Sequence, residues 1–351
     1  MKTARMLPAS LPLLIALNST ADALAQPAPE VATAQEAAPT LTPAQPTPAE
    51  DIWGDTDIGT AEMFALTPPP ADARTARPLI GFVAGGQHQF DAGIDKAGDF
   101  NVTRALVGLG TMIPLSQRVS VGAAATYNFA GYDFDNSAAF GGGEPWGDIN
   151  TARFMAVCNY AIDQHWAIVA GGVAGTSFDG GADVSDSWTG GGFIAGRYRA
   201  SESLSIQLGV AVASHLEGDT EALPTFMVNW KIDEGWSFQA GALEFGVTDA
   251  VGAGVMYRLS DQLSLGGRAG YIREQFRLDD SGFAPDGVGQ DERAKASLVL
   301  SWRPLPGMTI GVLGGIAFGG ELKVKDQDGD RLFKEDYDTA PFVAARLVWS
   351  F

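Results

Sequence analysis

The sequence predicts an all-β fold, an antiparallel up-and-down transmembrane β-barrel of about fourteen strands. From Leu79 onward, apolar side chains recur at every second position, which is the period of a strand and not of a helix. Short turns and longer polar loops also alternate along the chain. That alternation is typical of a chain that crosses a membrane repeatedly, with tight turns in the periplasm and longer loops outside. A soluble barrel or sandwich is the alternative.

The composition limits the class of protein. The 351 residues are 10% aromatic and 19% charged, include 44 glycines and carry a formal net charge of −19. The aromatic and apolar content excludes a wholly disordered chain, and the many glycines argue against a helical bundle. The acidic balance argues against nucleic acid as a partner, because phosphate binding needs a basic surface.

The N-terminus has the features of an export signal. Lys2 and Arg5 supply a positive start, a short apolar stretch follows, and Ala23-Leu24-Ala25 is a small-x-small cleavage site. We therefore predict a signal peptide over residues 1–25. Cys158 is the single cysteine, so the exported protein folds without an intramolecular disulfide.

The remaining chain divides into three parts by composition. Residues 26–50 are rich in proline, alanine and threonine, which predicts a disordered linker. Residues 51–78 contain an apolar cluster that includes Trp53 and Phe64, and they form either a periplasmic segment or a plug of the barrel. The barrel itself is predicted over residues 79–351.

Each strand is placed where the alternation is continuous between two turn-like segments. In "RVSVGAAATYNF", for example, Val119 and Val121 share one face while Ser120 and Gly122 share the other. A single misassigned hairpin would change the count to about twelve or sixteen. The predicted strands lie near 79–90, 100–113, 118–132, 149–162, 165–178, 188–199, 203–216, 224–232, 235–246, 249–259, 262–278, 292–303, 307–325 and 339–351.

Aromatic residues are predicted to form two girdles at the membrane interfaces. The outward face of the strands is apolar, and a barrel in lipid must close because no backbone polar group can remain unpaired there. The aromatic residues near short turns are Trp166, Trp236, Trp302 and Trp349, and those near long loops are Tyr127, Phe129 and Phe178.

The chain ends in "VAARLVWSF", in which Leu347, Trp349 and Phe351 are predicted to point outward. This ending resembles the C-terminal assembly signal of bacterial outer-membrane barrels. The resemblance implies recognition by the barrel-assembly machinery and a location in a Gram-negative outer membrane. It also implies that lipid and lipopolysaccharide surround the protein.

The last third of the chain carries a second resemblance. The stretches "LPTFMVNWKIDEGWSFQAG", "YRLSDQLSLGGRAGY" and "GGIAFGGELKVKDQDGD", within residues 223–351, are similar to a Gram-negative outer-membrane barrel family of unknown function. The resemblance implies fold and location only, and it provides no substrate or catalytic residue.

Projection of the alternation places a set of basic side chains in the lumen. Few carboxylates accompany them, chiefly Glu274 and also Glu244. A basic lining concentrates anions and repels cations, which predicts a preference for anionic solutes. Alternatively, the basic groups pair with loop carboxylates and fill the lumen. The predicted lumen-lining residues are Arg104, Arg153, Arg197, Arg199, Lys231, Arg258, Arg268, Lys295, Arg303 and Arg346.

No enzyme, metal or cofactor is expected. Ser214 and His215 are neighbours on one strand, so they point to opposite faces and cannot form a dyad. Asp326, Asp328 and Asp330 form an oxygen-rich run, but Gly329 precedes Asp330, whereas a calcium loop of the EF-hand type requires the glycine directly after the third acid. A diffuse cation layer shared with lipopolysaccharide phosphates suits these loop acids better.

The function predicted from the sequence is an outer-membrane channel or passive transporter for small solutes. A structural or surface-binding barrel with a closed lumen is one alternative. A transporter of hydrophobic solutes is another, and it requires a continuous apolar pocket that the projection does not show.

Overall fold

A computed structural model describes the barrel, and the backbone alone is described for residues 218–219, 243–245 and 248–250. The predicted signal peptide, the linker and residues 51–77 of the possible plug lie outside the described residues. No helix in the described part is long and apolar enough to cross a bilayer. The described residues are 78–95, 98–135, 144–216, 218–245 and 248–351.

The chain forms a closed antiparallel barrel of fourteen strands, as predicted. Consecutive strands pair in order, and the barrel closes where β1 pairs with β15 from Gly81↔Ser350 to Gln89↔Phe342. A short 3₁₀ turn, Val184–Ser187, lies in the loop between β5 and β6. The strands are β1 (Leu79–Ile94), β2 (Gly98–Pro114), β3 (Val119–Asp135), β4 (Asp148–Ala161), β5 (Trp166–Asp179), β6 (Trp188–Arg199), β7 (Leu204–His215), β8 (Gly218–Lys231), β9 (Trp236–Phe245), β10 (Thr248–Arg258), β11 (Leu263–Arg277), β12 (Val288–Leu305), β13 (Met308–Lys325), β14 (Arg331–Tyr337) and β15 (Ala340–Ser350).

The fourteenth barrel strand is split into β14 and β15. Both segments pair with β13, and the ladder is interrupted between Tyr337 and Ala340. The prediction that residues 326–338 form a polar loop is therefore wrong for most of the segment. The tight turn at its start remains a loop, where Asp326 Oδ1 accepts from the N–H groups of Asp328 and Asp330 at 3.1 and 2.8 Å.

The outer surface of the barrel is apolar. On β7, Leu208, Val210 and Val212 are 64, 50 and 45% exposed, whereas the inward Ser205 is 7% exposed. A soluble barrel would bury such aliphatic residues, because their exposure to water is unfavourable and large exposed apolar patches mark an interaction surface. The chain is thus a transmembrane barrel of the outer-membrane type.

Outward aromatic pairs mark the periplasmic interface. The ring centroids of Trp166 and Tyr198 lie 4.6 Å apart, and those of Trp236 and Tyr257 lie 4.7 Å apart. All four side chains are exposed on the lipid side, near the short turns. Their indole and phenol groups suit the headgroup level of a bilayer, as the predicted girdle requires.

Two periplasmic turns repeat one hydrogen-bond design. In "IDQHW", Asp163 Oδ1 accepts from the N–H groups of His165 and Trp166 at 2.7 and 2.8 Å. In "IDEGW", Asp233 Oδ1 accepts from Gly235 and Trp236 at 2.7 Å each. Such side-chain-to-backbone bonds satisfy turn donors that no strand partner reaches.

We expect Asp163→Ala to lower the thermal stability of the barrel in a pH-dependent way. The N–H groups of His165 and Trp166 hold the pKa of the Asp163 carboxyl below its usual value. A depressed pKa contributes stability above the ordinary value of about 3.9, and that contribution is lost as pH falls through the folded-state pKa. Unfolding curves at pH 7 and pH 2.5 check this. The prediction would be contradicted if the variant and the wild type differed in melting temperature by the same amount at both pH values.

The barrel wall is uneven in height. β12 and β13 have 18 residues each, whereas β9 and β10 have 10 and 11. Above the shorter strands, β11 bends across to β5 and pairs with it at Arg277↔Phe178. The Arg277 guanidinium holds this contact by donating to the carbonyl oxygen of Asp186 at 2.9 and 3.1 Å. The extracellular end of the barrel is therefore built by β1–β5 and β11–β14.

Candidate functional site

An apolar cluster fills the extracellular half of the lumen between β1–β4 and β11–β14. Its aromatic members, which we call the aromatic cap, pack edge to face and stacked. Phe100 and Phe134 have ring centroids 5.5 Å apart, and Trp146 lies 5.0 Å from Phe276. The aromatic cap consists of Phe100, Tyr132, Phe134, Trp146, Phe276 and Tyr337, and buried aliphatic residues such as Leu322 and Val324 pack against it.

A layer of buried charges lies directly beneath the cap. Arg104 Nη2 is 3.2 Å from both Glu274 Oε2 and Asp291 Oδ2. Arg293 Nη2 is 2.8 Å from Glu274 Oε2, and its Nη1 is 2.6 Å from Asp291 Oδ2. We call Arg104, Glu274, Asp291 and Arg293 the buried charge network. These pairs link β2, β11 and β12 across the lumen.

The cap and the charge network are joined by two tyrosines. Tyr132 Oη donates to Asp291 Oδ2 at 2.8 Å, and Tyr337 Oη donates to Asp291 Oδ1 at 2.9 Å. Asp291 is fully buried. Its carboxylate accepts hydrogen bonds from two phenols and lies beside two guanidinium groups. Buried charges require this degree of pairing, because an unpaired carboxylate in a low-dielectric interior is strongly unfavourable.

Lys295 extends the sealed region toward the periplasm. Its Nζ donates to Gln87 Oε1 at 3.1 Å and lies 4.9 Å from the ring centroid of Phe342. Both Lys295 and Gln87 are buried. The lumen on the side of β1, β2 and β12–β15 is therefore packed with side chains.

The inward face contains more apolar residues than the alternation suggested. Val83, Leu106 and Val348 form one buried cluster inside the barrel. Met256, Val299, Leu313 and Ala344 form another. The inward face is thus not uniformly polar, since apolar side chains of adjacent or nearby strands pack together at these positions.

Separate cavities lie on the other side of the lumen, along β3–β10. A cavity of about 270 Å³ is lined by β3–β7 and Gln275. A second cavity, of about 70 Å³, lies against Arg104 and Glu274. The two share four lining residues, which are Thr151, Arg153, Ser177 and Gln275.

A third cavity opens at the periplasmic mouth. It has a volume of about 40 Å³ and is lined by residues from β6 to β11. Arg199, Lys231 and Arg258 contribute three cations to its wall, and Glu202, Asp233 and Glu234 of the turns contribute acids. The inward residues of this mouth are the more basic part of the lining.

The ten predicted basic residues are distributed over several parts of the barrel and do not form one continuous ladder. Arg104 and Lys295 belong to the sealed side, Arg153 lines the open cavities, and Arg199, Lys231 and Arg258 surround the periplasmic mouth. Arg197 donates to Gln207 Oε1 at 3.0 and 3.1 Å. Arg268 and Arg346 are buried and Arg303 is half-buried.

Sequence reasoning missed Asp291 and Arg293, the two best-buried members of the charge network. The predicted strand began at residue 292, whereas β12 begins at Val288. The alternation of Asp291, Arg293 and Lys295 on one face was the available signal. The predicted inward carboxylate Glu274 is in the network, and the side chain of Glu244 lies outside the described part.

The predicted assembly-signal residues lie at the seam that closes the barrel. Trp349 and Phe351 are exposed on the outer face, with ring centroids 5.4 Å apart, and Leu347 is half-exposed beside them. The Phe351 N–H donates to Ile80 O at 2.9 Å, and the Ile80 N–H donates to Phe351 O at 3.0 Å. Recognition by the assembly machinery stays a prediction.

The ladder between β8 and β9 is short. In the described backbone it consists of four pairs, from Val228↔Ala240 to Lys231↔Ser237. Gly241 has a φ of +118°, and a Cβ there would lie 2.4 Å from the Phe226 carbonyl oxygen. The strands therefore touch at Gly241 and have no pairs with each other farther toward the extracellular side, within the residues the structure describes.

Both strands remain paired on their other edges above this point. Val210 pairs with Pro224, and Glu244 pairs with Asp249. Pro224 has no N–H, and residues 221–224 are exposed on both faces of β8. We call this interruption the β8–β9 seam. Unpaired backbone groups are unfavourable in hydrocarbon, so the seam requires water or a solute nearby.

No family model and no curated protein matches the chain. The resemblance of residues 223–351 to an uncharacterised barrel family therefore stays a prediction. The chain is similar in fold to a FadL homologue of Pseudomonas aeruginosa, with a TM-score of 0.47, 11% identity, and 80% of this chain and 92% of that chain covered. It is also similar to the toluene transporter TodX of P. putida, with a TM-score of 0.46, 9% identity, and coverage of 80% and 92%. An outer membrane channel from P. putida F1 is similar with a TM-score of 0.43 and 14% identity, and 82% of this chain and 100% of that chain are covered.

Proposed function

We propose that the chain is a channel or passive transporter that lets small solutes cross the outer membrane along the β3–β10 side of its lumen. The observation that carries this proposal is the asymmetry of the interior. One side is sealed by the aromatic cap and the buried charge network, whereas the other holds cavities toward both ends. A barrel with a purely structural role would have no need to keep one side open.

Anionic solutes fit the open side best. Arg153 stands at the overlap of the two upper cavities, and Arg199, Lys231 and Arg258 stand at the periplasmic mouth. Side-chain cations around a narrow aqueous passage raise the local concentration of anions. The acids of the mouth lie in turns, where bulk water screens them.

Planar-bilayer recording tests this function. In a KCl gradient, we expect a measurable conductance. Its reversal potential should lie closer to the equilibrium potential of chloride than to that of potassium. The triple variant Arg199→Gln/Lys231→Gln/Arg258→Gln is expected to shift that potential toward potassium, whereas Arg331→Gln, at the exposed extracellular end of β14, is not. Absence of conductance in the full chain and in a variant without residues 26–77 would exclude the channel and favour the closed structural barrel.

Transport of apolar solutes is the second candidate, and the β8–β9 seam favours it. An interruption in the wall would let an apolar solute pass between lumen and bilayer without crossing the periplasmic mouth. Pro224→Val supplies an N–H and a better strand former at the seam. We expect this variant to slow toluene flux into vesicles while the KCl conductance is unchanged. Equal toluene flux in vesicles with and without the protein would exclude this candidate.

A further inference from the structure

The two upper cavities adjoin each other and differ in chemical character. The residues that line both of them are polar, namely Thr151, Arg153, Ser177 and Gln275. From this junction the smaller cavity extends to Arg104, and the larger one extends to an aliphatic wall. A solute lying across the junction would meet charge at one end and hydrocarbon at the other.

The polar end is built to receive a negative group. Arg104 is 3% exposed, and its Nε and Nη1 have no hydrogen-bond partner in the protein, although Nη2 is engaged by the charge network. Arg153 adds a second guanidinium. The hydroxyls of Thr151 and Ser177 form a hydrogen bond of 2.8 Å with each other, and the hydroxyl that accepts it can donate to a ligand. Buried donors without partners are unfavourable, and a carboxylate is their best complement.

Glu274 does not make this end a cation site. Its Oε2 accepts from Arg104 at 3.2 Å and from Arg293 at 2.8 Å, so both guanidinium groups already neutralise it. Arg153 also lines this end of the cavity. The Nε and Nη1 donors of Arg104 require an acceptor, which a cationic ligand does not supply.

The opposite end is apolar. Ala124, Met155, Val173 and Ala213 line the larger cavity. Ala124 and Met155 also belong to an inward cluster in which Met112, Val157 and Val169 are buried and Phe193 packs alongside. Methionine in such a wall adapts to the shape of an apolar ligand.

We propose that this space binds small amphipathic organic anions, such as aromatic or short aliphatic carboxylates. The carboxylate binds Arg104 and Arg153, and the apolar body lies against Met155 and Val173. This inference rests on the proposed passage and specifies its substrate class. It also accounts for both the anionic and the apolar solutes considered above, because an amphipathic anion carries a charge and an apolar body in one molecule.

Calorimetry on the detergent-solubilised full chain tests the proposal with three probes. Benzoate carries both the ring and the charge, acetate carries the charge alone, and benzyl alcohol carries the ring without the charge. We expect benzoate to bind at least about tenfold more tightly than either partial probe. Benzoate binding no tighter than that of acetate and benzyl alcohol would overturn the proposal.

Two variants locate the site. Arg153→Gln is expected to weaken benzoate binding at least about tenfold and to leave benzyl alcohol binding nearly unchanged. Arg331→Gln, on the exposed end of β14, is the matched control and should bind benzoate like wild type. Unaltered benzoate affinity in Arg153→Gln, with the barrel folded by circular dichroism, would place the ligand elsewhere and contradict the assignment.

The outcomes separate this inference from the channel itself. A barrel that conducts KCl but binds benzoate no better than acetate retains the proposed function and loses the substrate class. A barrel that binds benzoate through Arg153 without any conductance keeps the binding site and loses the passage.

Discussion

Asp291→Ala is expected to destabilise the barrel by about 3–5 kcal/mol, because it breaks a buried ionic cluster on one side only. Asp291 is fully buried, faces Arg104 and Arg293, and accepts from Tyr132 and Tyr337. Its loss would leave two guanidinium groups to share Glu274. Urea unfolding in detergent, followed by tryptophan fluorescence, measures the effect.

The matched control is Asp336→Ala, an exposed acid on β14 that should change the free energy of unfolding very little. The double variant Asp291→Leu/Arg293→Leu is a sharper test. It removes one charge of each sign and leaves Arg104 opposite Glu274, so it should be more stable than Asp291→Ala. A double variant that is less stable than the single one would show that packing, and not charge balance, dominates this layer.

Trp146→Ala is expected to open the sealed side of the lumen as well as to destabilise it. The Trp146 ring is 2% exposed and packs against Tyr132, Phe134 and Phe276. Removal of a buried aromatic ring costs about 3–5 kcal/mol and leaves a cavity. We therefore expect a lower unfolding free energy and a larger single-channel conductance than in wild type.

Trp188→Ala is the control for this prediction. Trp188 is the first residue of β6, and its side chain is 61% exposed on the outer face. Its removal should change neither conductance nor unfolding by a comparable amount. If Trp146→Ala were destabilised while its conductance stayed equal to that of wild type, the aromatic cap would not be the element that seals the upper lumen.

The strand period was sufficient to predict the barrel and its lipid-facing side. Residues such as Leu208, Val210 and Val212 face the bilayer and do not depend on contacts with distant strands. Their apolar pattern can therefore be recognised from the local sequence. The same holds for Asp163 and Asp233, whose side chains accept from backbone N–H groups close to them in the sequence.

The content of the lumen could not be predicted in the same way. Arg104 meets Glu274 and Asp291 at sequence separations of 170 and 187 residues, and such pairs depend on barrel diameter and register. Strand alternation shows that a residue points inward and does not show what faces it. The filling of one side, and hence the asymmetry of the passage, becomes visible only after the barrel closes.

Local exceptions to the alternation were also missed. The β8–β9 seam depends on a positive φ at Gly241 and on the missing N–H of Pro224, both of which look like ordinary barrel residues in sequence. The strand β14 was missed because its acidic and basic side chains suggested a loop. It pairs with the part of β13 that extends beyond Gly320.

Cysteine accessibility tests most directly whether water fills the β3–β10 side while the other side is sealed. In a Cys158→Ser background, Thr126→Cys and Ala213→Cys would line the larger cavity, and Val102→Cys and Leu322→Cys would lie in the packed side. With a charged methanethiosulfonate reagent on the protein in liposomes, we predict rapid modification of the first pair and protection of the second. Rapid modification at Val102→Cys and Leu322→Cys, with protection at Thr126→Cys and Ala213→Cys, would contradict the account.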